Sequence, residues 1–592
     1  MQSRLLRAAA LSGIVHHAAA AGFRTVGSSG CTAQMLFIPP FTNKAVFLDK
    51  PDTSCVERNP DKCCSYHANY GGPGVNLETG AHSPDPYNYD DSNMAVFATE
   101  YDLNTNELRK LHPKTNTFCS AGAFLPDGTM VNFAGAEPDA KAGVGDGFDA
   151  IRTYPPGPCT NGACDIDFTE GGSHLQAKRW YPTAETLPNG DILSVGGSDV
   201  GLLVLNEASI NVPTYELIKA DDSAPPPPVT LPILEFTEEQ NNQPNKSYNL
   251  YPILHLLPNP RAASEVFTIA GNQAVIWDYH NDKLVKTLPN TPLEPRCFPS
   301  SATSVLLPLE APAYDPTVLL CGGSSGDIPD PQALDDCYTI RPHAENPTWE
   351  TDDNLPNGPQ TMTDGINLPD GTILFINGAH RGSAGGFQAD DPVLAPLIYN
   401  PKAPKGARFT SMPKTTVPRM YHSVASLLPS GEVVVAGSNP MVFYTADGGV
   451  PRGWPKFRNN GHDAFLNQQQ REASKFPTEY RVEIFSPPYM DAEVRPQIVQ
   501  SPDAIVYGKA FAVESSVEGE KVEVVLVNPG FHTHAVAMQQ RMLKLERTPG
   551  KAKGWSDAKA PPGPSTAQPG VYLLFVVVDG IPSEGKWVKL SY

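Results

Sequence analysis

LPDGTMVNFAG (residues 125–135) is followed at wide intervals by LPNGDILSVGG (187–197), LPDGTILFING (368–378) and LPSGEVVVAG (428–437). Each copy is an apolar residue, a Pro-x-Gly turn and a β-rich run that ends in glycine. Proline presets the first turn position and glycine supplies a left-handed one, so the triplet codes a tight hairpin. The runs that follow are β-branched enough for buried strands. Looser copies span Leu257 to Gly271 and Leu307 to Gly323. Repeats spaced by roughly 50–70 residues are the mark of kelch-type propeller blades. Six copies are legible, and a seventh blade is expected to combine Met35 to Leu48 with a strand from elsewhere in the chain. Unrelated hairpins in a β-sandwich are the alternative, and the regular return of Leu-Pro-x-Gly speaks against it.

Working outward, the pattern stops near Pro440. Met441 to Lys475 reads as polar loop. From Tyr480 the text becomes RVEIFSPPY (481–489), and later KVEVVLV (521–527) and VYLLFVVV (571–578). These are short strands at sandwich spacing. The fold expected is therefore all-β: a seven-bladed kelch-type β-propeller followed by a C-terminal Ig-like β-sandwich. The boundaries expected are 1–21 for a signal peptide, 22–483 for the propeller and 484–592 for the sandwich, with Ala558 to Gly570 a loop inside it.

Composition agrees. The chain has 592 residues, with 49 glycines, 61 prolines and 18% charged residues. Many turn formers with few charges read as many short strands. The formal charge is −20. Such a surface repels phosphate backbones, which excludes a nucleic-acid partner. Arg4 and Arg7, the apolar stretch Ala8 to Ile14 and the small residues Ala18 to Ala21 read as a secretory signal, interrupted by His16 and His17. No later run is long and apolar enough to span a membrane, so the chain is expected to be secreted and extracellular. Asn245-Lys246-Ser247 is a glycosylation triplet. Ten cysteines in a secreted chain imply disulfides. Cys159 and Cys164 bracket one loop, Cys321 and Cys337 another. Cys31, Cys55, Cys63 and Cys64 cluster near the N-terminus with enough partners for two bridges. Cys119 and Cys297 remain.

Four segments carry candidate metal ligands: TFCS (117–120), RWYPT (179–183), RMYHS (419–423) and FHTH (531–534), the last followed by Gln540-Arg541. Singly, each residue has an ordinary reading. Cys119 reads as a small buried hydrophobe, Tyr181 and Tyr421 as core tyrosines with a bonded hydroxyl, and His422 or His534 as a hydrogen-bonded structural histidine. Adjacent Tyr and His just before a blade strand is less ordinary.

Together these segments resemble the copper-radical oxidase family of galactose oxidase and glyoxal oxidase. The glyoxal oxidase branch is closest, through Arg179-Trp180-Tyr181, Asp390 to Leu394 leading to Tyr399-Asn400-Pro401, and Tyr480 to Pro488. The chain also lacks the separate sugar-binding domain that precedes the propeller of galactose oxidase. The resemblance implies roles. Cys119 would form a thioether with the ring of Tyr181, giving a Tyr-Cys radical cofactor. Tyr181, Tyr421, His422 and His534 would bind one copper ion, with Tyr421 axial. His534 is preferred to His532 because the family pattern is Thr-His followed by Gln-Arg. Tyr181, Tyr421 and Cys119 would be the catalytic groups.

The chemistry is coherent. Imidazole and phenolate suit Cu(II). One copper changes by one electron and the oxidation removes two, so a second store is needed, and a thioether-substituted phenol supplies it. The resemblance implies that Tyr421 takes the substrate O–H proton and the Tyr181 radical the C–H hydrogen, with O₂ leaving as H₂O₂. One departure is visible. Where galactose oxidase stacks a tryptophan over the thioether, Gly196-Gly197-Ser198 is followed here by Asp199. Radical shielding must then come from another side chain, and galactose is disfavoured as substrate. His380 and Arg381 edge the pocket or serve as plain loop residues. The function expected is oxidation of small aldehydes (glyoxal, methylglyoxal, glycolaldehyde) to acids by a monomer, with peroxidases as users of the H₂O₂. The alternatives are a primary-alcohol or galactose-type oxidase with the same cofactor, and a non-catalytic kelch propeller that binds glycans or proteins.

Overall fold

In the computed structural model, the residues described are 21–51, 96–140, 142–157, 167–201, 206–235, 248–259, 264–325, 331–386, 388–440, 457–459, 462–464 and 476–592. Residues 1–20 of the expected secretory signal, the Asn245 triplet, the Cys159–Cys164 pair and Cys55, Cys63 and Cys64 lie outside them. No helix among the described residues is long and apolar enough to cross a membrane.

The Leu-Pro-x-Gly segments form the turns expected. In each, the leucine carbonyl accepts the glycine N–H at 2.9 Å, as at Leu125–Gly128, Leu187–Gly190, Leu368–Gly371 and Leu428–Gly431. The glycines sit at φ between +87° and +96°. Such angles strain any other residue. Each turn joins the innermost strand of an antiparallel sheet to the next one out. One such sheet runs Thr183–Thr186, Ile192–Val195, Thr214–Ile218 and Val229–Thr230. Others begin at Ala121–Phe124, Ile253–Leu256, Thr303–Leu306, Asp364–Asn367 and Ser423–Leu427, each four-stranded. Met35–Phe37 and Lys44–Leu48 form the inner half of the seventh, completed by Ala98–Asp102 and Leu108–Leu111. Neighbouring innermost strands pack on one another, which makes the sheets blades.

The ring closes non-locally. Gly22–Ser28, the first strand described, pairs antiparallel with Arg481–Ser486, which pairs with Val433–Gly437 of the last blade. The boundary expected at 484 thus falls inside a blade strand. Arg481–Ser486 satisfies its backbone within the propeller, and the first sandwich strand is Ile498–Gln500. The sandwich has one sheet around Val522–Asn528 and Gly570–Val578, and a second of Ile498–Gln500, Ala510–Ser515, Trp555–Lys559 and Glu546–Pro549. Ala558 lies in a strand rather than in the loop expected from 558 to 570, because it pairs with Phe511. Cys321 and Cys337 are register partners on adjacent strands and form a disulfide, as their spacing predicts.

Two features position the site. Just before each innermost strand, one residue takes the left-handed conformation: Ala33, Cys119, Tyr181, Tyr251, Ser301, Met362 and His422, at φ between +41° and +63°. For a residue with a Cβ this costs about 1–2 kcal/mol, and it persists where the surroundings fix it. Here the turn-in loops of neighbouring blades hold one another. Tyr181 N–H donates to the Cys119 carbonyl at 3.2 Å, Tyr251 to Tyr181 at 2.8 Å and Met362 to Ser301 at 3.0 Å. Buried arginines anchor the same loops. Arg179 pairs with Glu216 at 2.7 Å, and Arg419 with Glu483 at 3.0 Å. Second, the sandwich sends a hairpin, Phe531–Thr533 and Val536–Met538, onto the innermost strands. It pairs with Met35–Phe37 and packs against the inner strands of five other blades.

Candidate metal centre

His534 and Ala535 form the hairpin tip, both at positive φ (+49° and +62°). That is the type I′ turn that matches the twist of a two-residue hairpin. Three consecutive residues past the hairpin hold it in place. Gln539 accepts from Phe124 N–H at 2.6 Å. Gln540 accepts from Asn367 N–H at 2.8 Å and donates to the Gly365 carbonyl at 2.9 Å. Arg541 donates to the Leu256 and Thr566 carbonyls. The Gln540-Arg541 pair that helped to select His534 is thus a brace across separate blades.

At this tip the five residues expected from sequence meet. Tyr181 and Tyr421 place their hydroxyls 2.6 Å apart. His534 Nε2 is 3.4 Å from the Tyr181 hydroxyl and 3.6 Å from Cys119 Sγ. Donor atoms of Cys119, His422 and His534 lie within 4.8 Å of one another. The Tyr421 and His422 rings stack at 3.7 Å. The His422 and His534 planes stand at 90°, 4.7 Å apart. All five side chains are buried, the most accessible at 3%.

Burial sets their protonation. It pushes the Tyr181 and Tyr421 phenols well above their usual range, with Cys119 adding to both; Tyr421 adds to the rise of Tyr181, while the hydrogen bond with Tyr181 partly offsets that of Tyr421. It raises the Cys119 thiol likewise. His534 is pushed down to about 3 by burial alone, and His422 is lowered by burial and by the neighbouring His534. Without a cation the cluster is therefore neutral: two phenols, one thiol and two imidazoles.

Two observations test whether a metal fits. Among the described residues, neither ring nitrogen of His422 has a well-formed hydrogen bond, although the Asn439 backbone lies near enough to act on the ring. A buried polar group with no partner calls for one. His534 is oriented for a ligand. The Thr533 hydroxyl donates to the Gln34 carbonyl at 3.2 Å and lies 2.6 Å from His534 Nδ1. It can only accept from Nδ1–H, which leaves the Nε2 lone pair facing the phenols. Two imidazoles and two phenols form a nitrogen–oxygen set suited to Cu(II). His532, by contrast, is engaged at 2.7 Å with the Pro529 carbonyl of its own loop.

Sequence reading missed the wall around Tyr181. Phe298 lies over its ring with centroids 4.6 Å apart and planes at 34°. Tyr251 stands edge-on at 4.7 Å and Trp180 edge-on at 4.1 Å. Tyr251-Pro252 echoes Tyr181-Pro182 at the same point of its blade, a signal the sequence did hold. Phe298 comes from another blade's entry loop and has no motif. Asp199 is exposed, and Phe298 covers one face of the Tyr181 ring. His380 bonds to the Pro359 carbonyl at 2.6 Å and Arg381 is exposed. Cys31 and Cys297 are buried. The Cys297 sulfur accepts the Gly271 N–H at 3.1 Å.

Comparison with known proteins bears on the family of the chain. The glyoxal oxidase N-terminus family matches residues 66–452, and the galactose oxidase-like early set domain matches 495–590. The chain is 37% identical over 508 residues to aldehyde oxidase GLOX of Vitis pseudoreticulata, covering 83% of this chain and 84% of that one. It is 34% identical to aldehyde oxidase GLOX1 of Arabidopsis thaliana, covering 83% of this chain and 74% of that one. A solved fungal alcohol oxidase of the AA5 family, in complex with copper, shares the fold at a TM-score of 0.67 and 16% identity. It covers 97% of this chain and 100% of that one. Sequence match along most of the length and likeness of fold converge: the chain belongs to the glyoxal oxidase family.

Proposed function

We propose that the protein is a secreted copper-radical oxidase that converts small aldehydes to carboxylic acids and reduces O₂ to H₂O₂. The observation that carries this reading is the convergence of Cys119, Tyr181, Tyr421, His422 and His534, from four segments of chain, on one buried point. Copper, when bound, supplies a one-electron couple and a Lewis-acid position for the substrate oxygen. The residues do the rest. Tyr181, Tyr421, His422 and His534 would hold the copper, with Thr533 fixing the His534 tautomer. Cys119 and Tyr181 form the thioether: S–H and a ring C–H are lost, a C–S bond forms, and two electrons and two protons pass to O₂ as H₂O₂. The linked ring is the second one-electron store.

In turnover the aldehyde enters as its hydrate, which presents one O–H and one C–H. Tyr421 is placed to take the proton from the O–H and Tyr181 the hydrogen from the C–H, and the remaining electron would pass to the copper that these residues would hold. Aldehyde, water and O₂ give acid and H₂O₂. Tyr181 is walled by Trp180, Tyr251 and Phe298, and the Tyr251 hydroxyl is spent on the Ser120 carbonyl at 3.1 Å. Such a wall offers a sugar few partners, and unpaired sugar hydroxyls are costly.

The test is copper analysis of the purified protein with H₂O₂ release measured over aldehydes, primary alcohols and galactose, with a one-electron oxidant present to activate it. Glyoxal, methylglyoxal or glycolaldehyde should give the highest kcat/KM. Faster turnover of galactose or a simple alcohol than of every small aldehyde replaces this reading with an alcohol oxidase.

A further inference from the structure

Gly122 is the second residue of the innermost strand Ala121–Phe124, where it pairs with Asn132. It lies three residues past Cys119, the left-handed residue of its blade. Leu36, Ala184, Leu254, Ser304 and Ala425 hold the equivalent place in other blades, so the blade itself accepts a side chain there. What excludes one at 122 is the hairpin from the sandwich. A Cβ added to Gly122 would lie 2.7, 2.9 and 3.0 Å from ring atoms of Phe531. Those approaches are inside van der Waals contact, and a close-packed interior has little room to give. The Phe531 ring has nowhere to swing. It is fully buried, and it stacks on its register partner Phe37 at 6.4 Å and 23°. Phe37 in turn is edged by Phe124 at 6.2 Å and by Tyr154 at 5.5 Å.

This contact has a counterpart at the metal centre. Gly122 stands three residues after Cys119, and Phe531 three residues before His534. At the other end of these two segments, Cys119 Sγ lies 3.6 Å from His534 Nε2. The segments are gauged against each other at two points: ring against glycine at one end, imidazole against sulfur at the other. We propose that Gly122 is a positioning residue: the space of its missing side chain seats Phe531, and this seat sets how far the hairpin carries His534 toward Cys119 and Tyr181. The proposal rests on the reading of His534 as a copper ligand. A methyl group at 122 pushes the ring away from the innermost strand. The tip moves with it, because only the short strand Phe531–Thr533 separates the ring from His534.

The experiment uses the full-length protein as wild type, Gly122→Ala, Phe531→Leu, the Gly122→Ala/Phe531→Leu double variant and His534→Ala. Competition with a copper chelator reads affinity. The Cu(II) electron paramagnetic resonance spectrum reads the ligand set, and urea unfolding of metal-free protein reads the fold. Gly122→Ala should weaken copper binding by about tenfold or more, the range for groups that orient a metal ligand, and should alter the Cu(II) spectrum. In the double variant leucine gives up the ring, so affinity should return to within about threefold of Phe531→Leu alone, with the spectrum restored. A glycine that served only the stability of its strand would leave the spectrum as in wild type. Wild-type affinity and spectrum in Gly122→Ala overturn the proposal. So does a double variant no better than Gly122→Ala, whether that single variant is copper-poor or unfolded, because the damage then lies in the strand and not in the contact. Tight copper binding by His534→Ala overturns the ligand reading itself, and the proposal with it.

Discussion

Because the Thr533 hydroxyl has one proton and the Gln34 carbonyl 3.2 Å away to receive it, the contact with His534 Nδ1 must run from ring to hydroxyl. Thr533→Val removes that acceptor and frees the ring to turn. Partners of this kind are typically worth 10–100-fold in metal affinity, and competition with a copper chelator should show a loss in that range. His534→Ala should abolish tight copper binding. His532→Ala should keep copper and show its cost, about 1–3 kcal/mol for a buried truncation, in thermal unfolding. Retention of copper by His534→Ala with its loss in His532→Ala would exchange the two assignments. Phe298→Ala should shorten the lifetime of the oxidised ring, read from decay of its absorption, with thioether content unchanged. Equal decay in variant and wild type would show that the face of Tyr181 is protected by something else. At this scale the ligand candidates could be named only through the family resemblance that the four segments carry together, since singly each reads as an ordinary core residue. Thr533 and Trp180 stood inside the quoted segments, but only spacing in three dimensions separates them from their neighbours. Phe298 was not legible, since nothing local marks an aromatic in a loop as facing another blade.

Among the elements, the hairpin Phe531–Met538 has the heaviest task, and its bracing is specific. Gln540 alone meets one backbone N–H and one carbonyl of the strand Asp364–Asn367. Gln540→Ala should leave both without a partner, at about 1–3 kcal/mol for each such group, and lower the unfolding temperature. It should also weaken copper binding without touching a ligand. A variant with wild-type copper affinity would mean that the sheet pairing with Met35–Phe37 suffices. The repeated turns were readable because proline and glycine have local reasons to be there. The strand Arg481–Ser486 was assigned to the wrong unit for a matching reason: an outer blade strand and a sandwich strand present the same alternation, and its partner Gly22–Ser28 is remote in sequence. The seventh blade was placed correctly at Met35 to Leu48, but its outer strands lie beyond a long insertion that carries no repeat signal.

For the molecule as a whole, the buried imidazoles dictate the response to acid. His255 and His534 are held near about 3 and His532 near about 4, in each case chiefly by burial. A depressed folded value stabilises the fold above the unfolded value near 6.5 and loses that contribution as pH falls. Metal-free protein should therefore lose unfolding free energy steadily from pH 6.5 toward 4, as measured by urea titration. On the alkaline side Asp364 works in reverse. Buried beside Asn377, its carboxyl is raised to about 8. Its contribution is complete only below the unfolded value near 4 and is lost as pH rises through 8. Asp364→Asn should then stand up better than wild type at pH 9. A flat stability profile across the acid range would mean that the imidazoles are hydrated in solution.

The pairing of Gly22–Ser28 with Arg481–Ser486 has a consequence for biogenesis. A ribosome delivers the first of these strands long before the second, and closure over so long a separation is slow as well as late. The early strand must wait, unpaired, while every intervening blade is made. His534 emerges later still, so no nascent chain can capture the metal before its ring has the means to close. Stalled chains released at successive lengths should bind copper tightly only once residues past the Gln539–Arg541 brace are present. Maturation then has a built-in order: an incomplete translation product carries no redox-active centre, and the cell is spared a truncated protein that makes peroxide.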